Sequence, residues 1–238
     1  MAKAIFFRDR EEAGQKLAKE LARFKDQHPA VLALPRGGVP VGYEVARALN
    51  APLDVILVRK LGSPISPELA IGAIAEGIDV EPFIDEQIIA ELDVEKAYVE
   101  AEIGRQKREI ARRQQLYAAA RPTLDIREMT AIVVDDGIAT GATMKAAVRA
   151  ARRRQPRKLV LAVPVAPEET IERLRQEVDE VTCLSMPEDF GAVGLFYSDF
   201  SPVEDDVVIG LLKHAALQRA NAEATAPPQS ATPATAKS

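Results

Sequence analysis

The chain of 238 residues contains one cysteine, two histidines and no tryptophan, and these shortages exclude several kinds of site. A single thiol excludes an intramolecular disulfide, and Cys183 lies in a run of alternating apolar and polar residues that predicts a buried strand. His28 and His214 have no partner at the spacing of metal ligands, which argues against a zinc centre. We expect both histidines to lie on the surface.

Long apolar runs and a strong excess of charge are lacking as well. No segment approaches the ~20 apolar residues of a membrane-spanning helix, and the N-terminal residues contain no apolar core of signal-peptide length. The net charge of −5 provides no overall attraction to nucleic acid or to anionic membranes. We therefore expect a cytoplasmic protein that binds neither.

What the chain does have is enough apolar material for one full core, since 47% of its residues are apolar. Helical and strand patterns alternate along it, which predicts an α/β fold with a Rossmann-like parallel sheet flanked by helices. The predicted helices cover about 9–26, 39–49, 86–118 with a break at Asp93, 168–177 and 203–219, with a further helix from Ala142. The predicted strands are 30–34, 53–58, 71–75, 80–84, 131–134, 158–165 and 180–186, and the second pair of these, 71–75 and 80–84, is predicted to form a hairpin.

The long predicted helix over 86–118 mixes basic and acidic side chains. These include Arg105, Lys107, Arg108, Arg112 and Arg113, interspersed with Glu102 and Glu109. Such a mixture, without interleaved aromatic residues, is typical of a solvated helix face with i,i+4 pairs and not of a nucleic-acid surface.

Residues 132–144, with the sequence IVVDDGIATGATM, combine a buried strand, two adjacent carboxylates, a loop of small residues and a helix start. The run Ala131–Val134 has the β-branched character of a strand covered on both faces. Backbone N–H groups in the loop and at the helix N-terminus favour an anion such as a phosphate monoester, and threonine hydroxyls add donors. The residues of this predicted phosphate loop are Gly137, Ala139, Thr140, Gly141, Ala142 and Thr143.

The paired acids Asp135 and Asp136 suit a different group. They repel a phosphate, but ionised carboxylates accept hydrogen bonds well from a vicinal diol such as that of a ribose. The segment is therefore predicted to bind a sugar and its phosphate side by side. The competing interpretation is an ordinary strand-loop-helix unit of an α/β protein, although the chain has neither a G-x-G-x-x-G motif nor the lysine of a P-loop.

Two more loops follow predicted strands and should reach the same edge of the sheet. The turn Pro35-Arg36-Gly37-Gly38 offers unobstructed backbone N–H groups and a guanidinium, while Arg59 and Lys60 end the next predicted strand before a turn-rich segment, 61–69. These cations and glycines suit a pyrophosphate. The alternative is an exposed arginine in a helix-start turn and a solvated strand end.

The segment 132–144 resembles the phosphoribosyl pyrophosphate signature of type I phosphoribosyltransferases, which runs as apolar residues, two acids, two small or apolar residues and Ala-Thr-Gly-x-Thr. The resemblance extends to the turn 35–38, which corresponds to the family's pyrophosphate loop, and to a flexible lid, here about 61–70. The chain looks most like the substrate-unassigned bacterial members with Pro-Arg-Gly-Gly and Tyr-x-x-Phe segments. This implies one phosphoribosyltransferase domain over 1–218, with a helical hood inserted near 86–120, followed by a disordered tail over 219–238, where Ala, Thr, Pro, Ser and Gln dominate.

The resemblance also implies an activity. A 5-phosphoribosyl group would move from phosphoribosyl pyrophosphate to a nucleobase-like acceptor, with release of pyrophosphate and with Mg²⁺ as the cofactor. The metal would be held mainly by substrate oxygens, with a water bridge to Asp135 or Asp136 as an option. The residues expected to carry catalysis are Arg36, Lys60, Asp135 and Asp136, and those expected to bind the donor are Arg36, Gly37, Gly38, Arg59, Lys60, Asp135, Asp136 and the phosphate loop.

The acceptor is harder to predict. Hypoxanthine-guanine enzymes of the family carry a third carboxylate where this chain has Ala139, so the sequence is closer to the Ala-Thr-Gly form of adenine and orotate enzymes. The segment 189–200 holds four of the eleven aromatic residues. It is either a stacking surface for a planar base or a small core beneath the last helix.

Two other functions stay open at this stage. A regulatory protein could use the same fold to sense a nucleotide without turnover, although such a sensor can lose Arg36 and Lys60, and both are present. A hydrolase of a phosphoribosyl compound is favoured if the lid is short and open. The sequence leaves the assembly open, a homodimer included.

Overall fold

The computed structural model describes residues 4–67, 69–77, 81–120 and 124–225. The helices are α1 (Arg10–Leu21), α2 (Gly38–Leu49), α3 (Glu86–Glu91), α4 (Lys96–Tyr117), α5 (Ala142–Arg153), α6 (Glu168–Leu174) and α7 (Asp205–Thr225). The strands are β1 (Pro29–Ala33), β2 (Leu53–Val55), β3 (Val58–Gly62), β4 (Ala70–Ala75), β5 (Phe83–Ile84), β6 (Thr130–Val134), β7 (Lys158–Val165) and β8 (Glu180–Ser185).

A five-stranded parallel sheet in the order β2-β1-β6-β7-β8 forms the centre of the fold. Its register places Ala33 beside Val134, and Val134 beside Ala162, so β1, β6 and β7 end at a common edge. Every residue of β1 and β6 is buried, which explains their continuous apolar runs. The predicted fold, a parallel sheet flanked by helices, is confirmed.

Helices cover both faces of this sheet. Alternate residues of β1 and β6 pack on one side against α1, α2 and α7 and on the other against α5 and α6. Two hydrophobic cores, separated by the sheet, result from this alternation. Together they hold the strand ends in fixed positions, and the loops that follow those ends inherit that rigidity.

A second sheet of three antiparallel strands, β3-β4-β5, corrects one prediction. The predicted strand 53–58 is two strands, and Arg59 and Lys60 lie inside β3 instead of ending a strand of the parallel sheet. The parallel pairing stops after Ile56 donates to the carbonyl of Ala33, because β1 then reaches Pro35, which has no N–H for further pairing.

The segment predicted to be a long surface loop over 61–69 is shorter in the structure. Leu61 and Gly62 belong to β3, where both are buried, and Ser63 is buried as well. The exposed part of the connection therefore begins at Pro64. The predicted hairpin of 71–75 with 80–84 is confirmed, because β4 pairs with β5 in antiparallel register, while residues 78–80 lie outside the described residues.

Helices α3 and α4, the segment for which the resemblance implies a hood, pack against this second sheet. The predicted break at Asp93 is confirmed, since α3 ends at Glu91 and α4 starts at Lys96. The prediction of a wholly solvated face is wrong for Glu102, which is 5% exposed. It is buried because it faces β3, where the amide of Gly62 donates to its carboxylate over 3.4 Å.

The C-terminal helix α7 is longer than predicted, because it continues past residue 219 to Thr225. The rest of the predicted tail, from residue 226, lies outside the described residues. Within the described ranges, each helix is too short or too polar to cross a membrane.

The burial of the sheet generates a stability prediction. We expect Leu32→Ala in β1 to lower the free energy of unfolding by about 2–5 kcal/mol, because Leu32 is fully buried and a cavity replaces its side chain. Leu217→Ala in α7 is the matched control, since Leu217 is 63% exposed, and should change it by less than about 0.5 kcal/mol. Urea unfolding of both variants measures this, and equal losses would contradict the assignment of the core.

Candidate functional site

The site is built around the loop between β6 and α5. β6 ends at Val134, and Asp135 and Asp136 follow at the sheet edge, where the backbone N–H of Asp136 donates to Oδ1 of Asp135 over 2.9 Å. Gly141 caps α5 with a φ of 85°, a left-handed conformation that glycine adopts without strain. A Cβ at Gly141 would also lie only 2.8 Å from Cγ2 of Thr170. Glycine is thus required there by conformation and by space.

The loop between β6 and α5 is held to the protein by two hydrogen bonds on one side and is exposed to solvent on the other. The hydroxyl of Thr170 donates to the carbonyl of Ala139 over 2.9 Å, and the backbone N–H of Ile138 donates to the carbonyl of Val165 over 3.0 Å. Ala139 and Thr140 are exposed. The loop therefore presents its small residues and the α5 N-terminus to solvent, as an anion-binding loop requires.

The turn 35–38 packs directly on the two acids. It contains a cis peptide bond between Pro35 and Arg36. A Cβ at Gly37 would lie 2.1 Å from Oδ2 of Asp136, and a Cβ at Gly38 would lie 2.9 Å from Cα of Asp135. Both glycines are needed because a larger residue would push the turn away from the acids. The turn and the acids form one surface.

A cavity of about 410 Å³ opens beside this surface. Residues of the turn, of β3, of α4 and of the α5 N-terminus line it together. The lining residues are Pro35, Val58, Arg59, Lys60, Gly62, Pro67, Glu102, Gln106 and Thr143. Three segments predicted to meet at the sheet edge thus share one cavity, although Arg59 and Lys60 reach it from the second sheet.

Burial sets the electrostatics of the acids. Burial, and then the charge of Asp136, hold the pKa of Asp135 well above its usual range. Burial raises the pKa of Asp136 as well, and Arg10 opposes that rise. Nε of Arg10 donates to Oδ2 of Asp136 over 2.7 Å, with 11% and 13% of the two side chains exposed. Negative charge on Asp135 and Asp136 is therefore unfavourable in the structure as it stands, and a bound cation or hydroxyl donors would stabilise it.

A polar chain crosses the cavity wall from the hood to β3. Nε of Arg59 donates to Gln106 over 3.0 Å, and the amide nitrogen of Gln106 donates to Glu102 over 2.8 Å. Burial, then the neighbouring charge of Arg113, lowers the pKa of Arg59. Burial alone would raise the pKa of Glu102, but hydrogen bonds from Gln106, Arg105 and Gly62 outweigh it and lower that pKa. Arg59 is thus a half-buried cation that donates to a neutral amide.

Arg36 lies outside the set of residues that line the cavity. Its guanidinium donates to Glu204, just before α7, over 3.1 Å, and the Glu204 side chain is mostly exposed. Within the turn that sequence analysis assigned to pyrophosphate, Arg36 is therefore held in an ion pair that solvent reaches.

The aromatic segment 189–200 is a small core. Phe196 and Tyr197 are buried against Phe7, and Phe190 and Phe6 stack on Phe196 with ring centroids 5.5 and 5.7 Å away. Of the two interpretations that the sequence allowed, packing describes these rings, and none of them lines the cavity.

Several residues of the site escaped sequence analysis. Arg10 and Glu204 are brought in by the tertiary fold from distant positions and carry no motif. Tyr197 belongs to the Tyr-x-x-Phe segment, but its hydrogen bond to the carbonyl of Asp136 was not predicted. Glu102 and Gln106 were hidden in a charged helix, although their i,i+4 spacing does place them on one face. That face is the one that contacts β3.

Comparison of the chain with known proteins identifies the family that it matches. A family model described as the phosphoribosyl transferase domain matches residues 8–201. Two Mycobacterium tuberculosis proteins, from strains CDC 1551 and H37Rv, provisionally named phosphoribosyl transferases, are each 44% identical over 210 residues, which cover 88% of this chain and 47% of theirs. The chain thus spans about half the length of these curated relatives. The crystal structure of TT1426 from Thermus thermophilus is 43% identical, has a TM-score of 0.74, and matches over 88% of this chain and 99% of that one.

The contact between the turn and the acids can be tested at Gly37. We expect Gly37→Ala to lower the free energy of unfolding by about 1–3 kcal/mol, because the new methyl group overlaps Asp136 and forces the turn or the acid to move. Gly104→Ala on α4 is the control, as the nearest atom to its Cβ is 3.7 Å away, and it should stabilise by about 0.5–1 kcal/mol. Denaturant titration measures both, and a Gly37→Ala variant as stable as wild type would contradict the contact.

The raised pKa of Asp135 generates a pH prediction. A carboxyl whose pKa is higher in the folded than in the unfolded state costs stability once ionised, so the free energy of unfolding falls as the pH rises from the unfolded towards the folded pKa. Asp135→Asn removes that cost and keeps the oxygen that accepts from Asp136, so we expect it to be more stable than wild type at neutral pH.

Thermal unfolding across pH checks this expectation. The gain from Asp135→Asn should vanish below the unfolded pKa, where the wild-type carboxyl is protonated in both states. Asp85→Asn is the control, since the Asp85 side chain also accepts a backbone N–H as a helix cap and asparagine caps equally well. A loss of stability in Asp135→Asn at neutral pH would show that the carboxylate is not under electrostatic strain.

Proposed function

Because the chain belongs to the phosphoribosyltransferase family, we propose that it transfers a 5-phosphoribosyl group from phosphoribosyl pyrophosphate to a nucleobase-like acceptor, with release of pyrophosphate. One observation carries the proposal. Pro35 of the glycine turn, Thr143 of the phosphate loop and the cations of β3 line one cavity of about 410 Å³, and the same turn packs on the paired acids. A sugar with a phosphate at one end and a pyrophosphate at the other needs these groups in this arrangement.

The 5′-phosphate is assigned to the loop at the start of α5. Gly137, Ala139, Thr140, Gly141, Ala142 and Thr143 supply backbone N–H groups and hydroxyls there. The 12-residue helix α5 adds the positive end of its dipole, and Thr143 lines the cavity. The exposed loop above the Thr170 anchor gives the phosphate access without rearrangement of the core.

The ribose hydroxyls are assigned to Asp135 and Asp136. Each carboxylate has one oxygen already engaged, Oδ1 of Asp135 by an amide and Oδ2 of Asp136 by Arg10. A carboxylate offers about four lone-pair sites, so each acid can accept further hydrogen bonds, and two adjacent acceptors match a vicinal diol. Hydroxyl donors also relieve the charge strain that raises the pKa of Asp135.

Pyrophosphate is assigned to the glycine turn and its neighbouring cations. Gly37 offers a backbone N–H group, whereas the N–H of Gly38 already donates to the carbonyl of Leu34 over 3.0 Å. Arg59 and Lys60 line the cavity, and Arg36 adds positive charge from the turn. Arg36 is paired with an exposed carboxylate, and such an ion pair contributes little, so an anionic ligand can replace it at small cost. The half-buried charge of Arg59 gains most from an anion nearby.

Magnesium fits this assignment as a cation shared with the substrate. Within the described ranges no group of three or more histidine, cysteine or acidic residues is placed to hold a metal ion. The ion would therefore take most of its ligands from pyrophosphate and ribose oxygens, and Asp135 or Asp136 would contribute directly or through water. When bound, it would stabilise the negative charge that develops on the leaving pyrophosphate.

The chain's own residues then act by positioning and electrostatics. The bond from the ribose carbon to pyrophosphate breaks, its electron pair leaves with the pyrophosphate, and the acceptor nitrogen bonds to that carbon and loses its proton. Positive charge grows on the sugar near the two carboxylates, and negative charge grows near Arg36, Lys60 and the turn amides. The connection from β3 to β4, with Pro67 at the cavity, is placed to limit water.

The decisive experiment is a screen of nucleobases for magnesium-dependent release of pyrophosphate from phosphoribosyl pyrophosphate by the purified chain. Release that needs both a base and magnesium supports a transferase. Release without any base indicates a hydrolase. Tight binding of the donor without release in any condition indicates a sensor, and the absence of binding contradicts the proposal altogether.

With an acceptor in hand, we expect Arg36→Ala to lower kcat by about 10²-fold and to raise KM by less, because the charge it stabilises grows in the transition state. Arg127→Ala is the matched control, since Arg127 is also an arginine in an exposed ion pair but precedes β6, at the opposite end of the strand. It should match wild type. Steady-state pyrophosphate release measures both, and full activity of Arg36→Ala would remove its catalytic role.

A further inference from the structure

Arg10 reaches Asp136 from the start of the domain and is itself held from several sides. As the first residue of α1, it donates from Nη1 to the carbonyl of Ser201 over 2.9 Å, and its guanidinium carbon lies 4.0 Å from the centre of the Phe200 ring. Together with the 2.7 Å bond to Asp136, these contacts fix the plane of the guanidinium. A fixed guanidinium fixes the carboxylate that it binds.

The main chain of Asp136 is held by the same region. The hydroxyl of Tyr197 donates to the carbonyl of Asp136 over 2.5 Å, and the Tyr197 ring packs against Phe7 at 5.4 Å. The backbone N–H of Phe7 donates to Phe196, and that of Ser198 donates to Phe7. Phe7, Arg10 and residues 196–201, which we call the terminal clamp, therefore hold both the side chain and the carbonyl of Asp136.

A contribution to folding stability does not by itself explain the ion pair between Arg10 and Asp136. A largely buried ion pair gains little over apolar residues of similar volume, because both charges lose hydration. The Arg10 and Asp136 side chains are mostly buried at a place where the neighbouring Asp135 adds like charge. The ion pair is therefore better explained by its effect on the orientation of the Asp136 carboxylate than by a contribution to folding stability.

We propose that Arg10 is a positioning residue that fixes one oxygen of Asp136, so that the other is directed to a hydroxyl of the phosphoribosyl ligand. This inference rests on the proposed function, since it requires that Asp136 bind the ribose. Arg10 contacts the acid and not the reacting atoms. Its effect should therefore appear in ligand affinity, and a lysine in its place should restore only part of that affinity.

The test is calorimetric titration of the full chain with phosphoribosyl pyrophosphate and magnesium. We expect Arg10→Ala to raise Kd by about tenfold or more, because the carboxylate of Asp136 loses the guanidinium that fixes one of its oxygens. Arg10→Lys keeps the charge but loses the planar fork, so it should recover part of the affinity.

Arg8→Ala is the matched control. It removes an arginine two residues away whose side chain is 69% exposed and pairs with Asp9, so it should bind like wild type. A merely structural role for Arg10 would lower the melting temperature without raising the Kd of the folded protein, and Arg10→Lys would then recover no affinity. Should Arg10→Ala fold poorly, Arg10→Lys and the double variant Arg10→Ala/Asp136→Asn, which leaves no unpaired buried charge, supply the same comparison.

Asp136→Asn separates this inference from the function on which it rests. If Asp136→Asn loses affinity and Arg10→Ala adds nothing to that loss in the double variant, the two residues act as one unit and the inference holds. If Asp136→Asn loses affinity while Arg10→Ala binds as wild type, or more tightly, only the role of Arg10 is overturned. Wild-type affinity in Asp136→Asn would overturn the ribose assignment and the role of Arg10 together.

Discussion

Repulsion between two adjacent carboxylates at the end of a buried strand is the constraint to which the rest of the site is fitted. Asp135 and Asp136 follow β6 and are largely buried, so burial raises the pKa of both, and the charge of Asp136 raises that of Asp135 further. Each structural feature nearby reduces that cost in one way. An amide donates to Asp135, Arg10 donates to Asp136, and the glycine turn brings backbone dipoles close without side chains in between.

The division between rigid and adjustable parts follows from the same constraint. The acids and the phosphate loop are fixed on the parallel sheet, which is packed on both faces. The cations that would meet pyrophosphate lie elsewhere, Arg36 in a solvent-exposed ion pair at the turn and Arg59 and Lys60 on the second sheet. The carboxylates that repel an anion and two of the cations that attract it thus lie on different sheets. Movement of the second sheet relative to the parallel sheet would therefore change the distances between these charges.

The local pattern of apolar and polar residues was sufficient to predict those strands and helices whose formation depends on residues close in sequence. The strand Ala131–Val134 and the helix from Ala142 could be predicted because burial on both faces and the glycine-rich loop leave a direct mark on composition. The division of 53–58 into β2 and β3 could not, because its cause is a proline on a different strand, Pro35. Sequence analysis likewise found the acids but not Arg10, whose pairing depends on how α1 docks against the segment around Phe200.

The terminal clamp has a consequence for how the protein is made. Arg10 is 126 residues from Asp136 and 191 residues from Ser201, so the contacts that complete the site are among the most distant in the chain. We expect such contacts to form late in folding, because the chain must pay the entropy of closing its longest loops before these contacts can stabilise the native state. During synthesis, the phosphate loop leaves the ribosome well before residues 196–201 do. The two acids therefore acquire their final environment only when the whole domain has emerged, and binding of the ligand reports a finished fold.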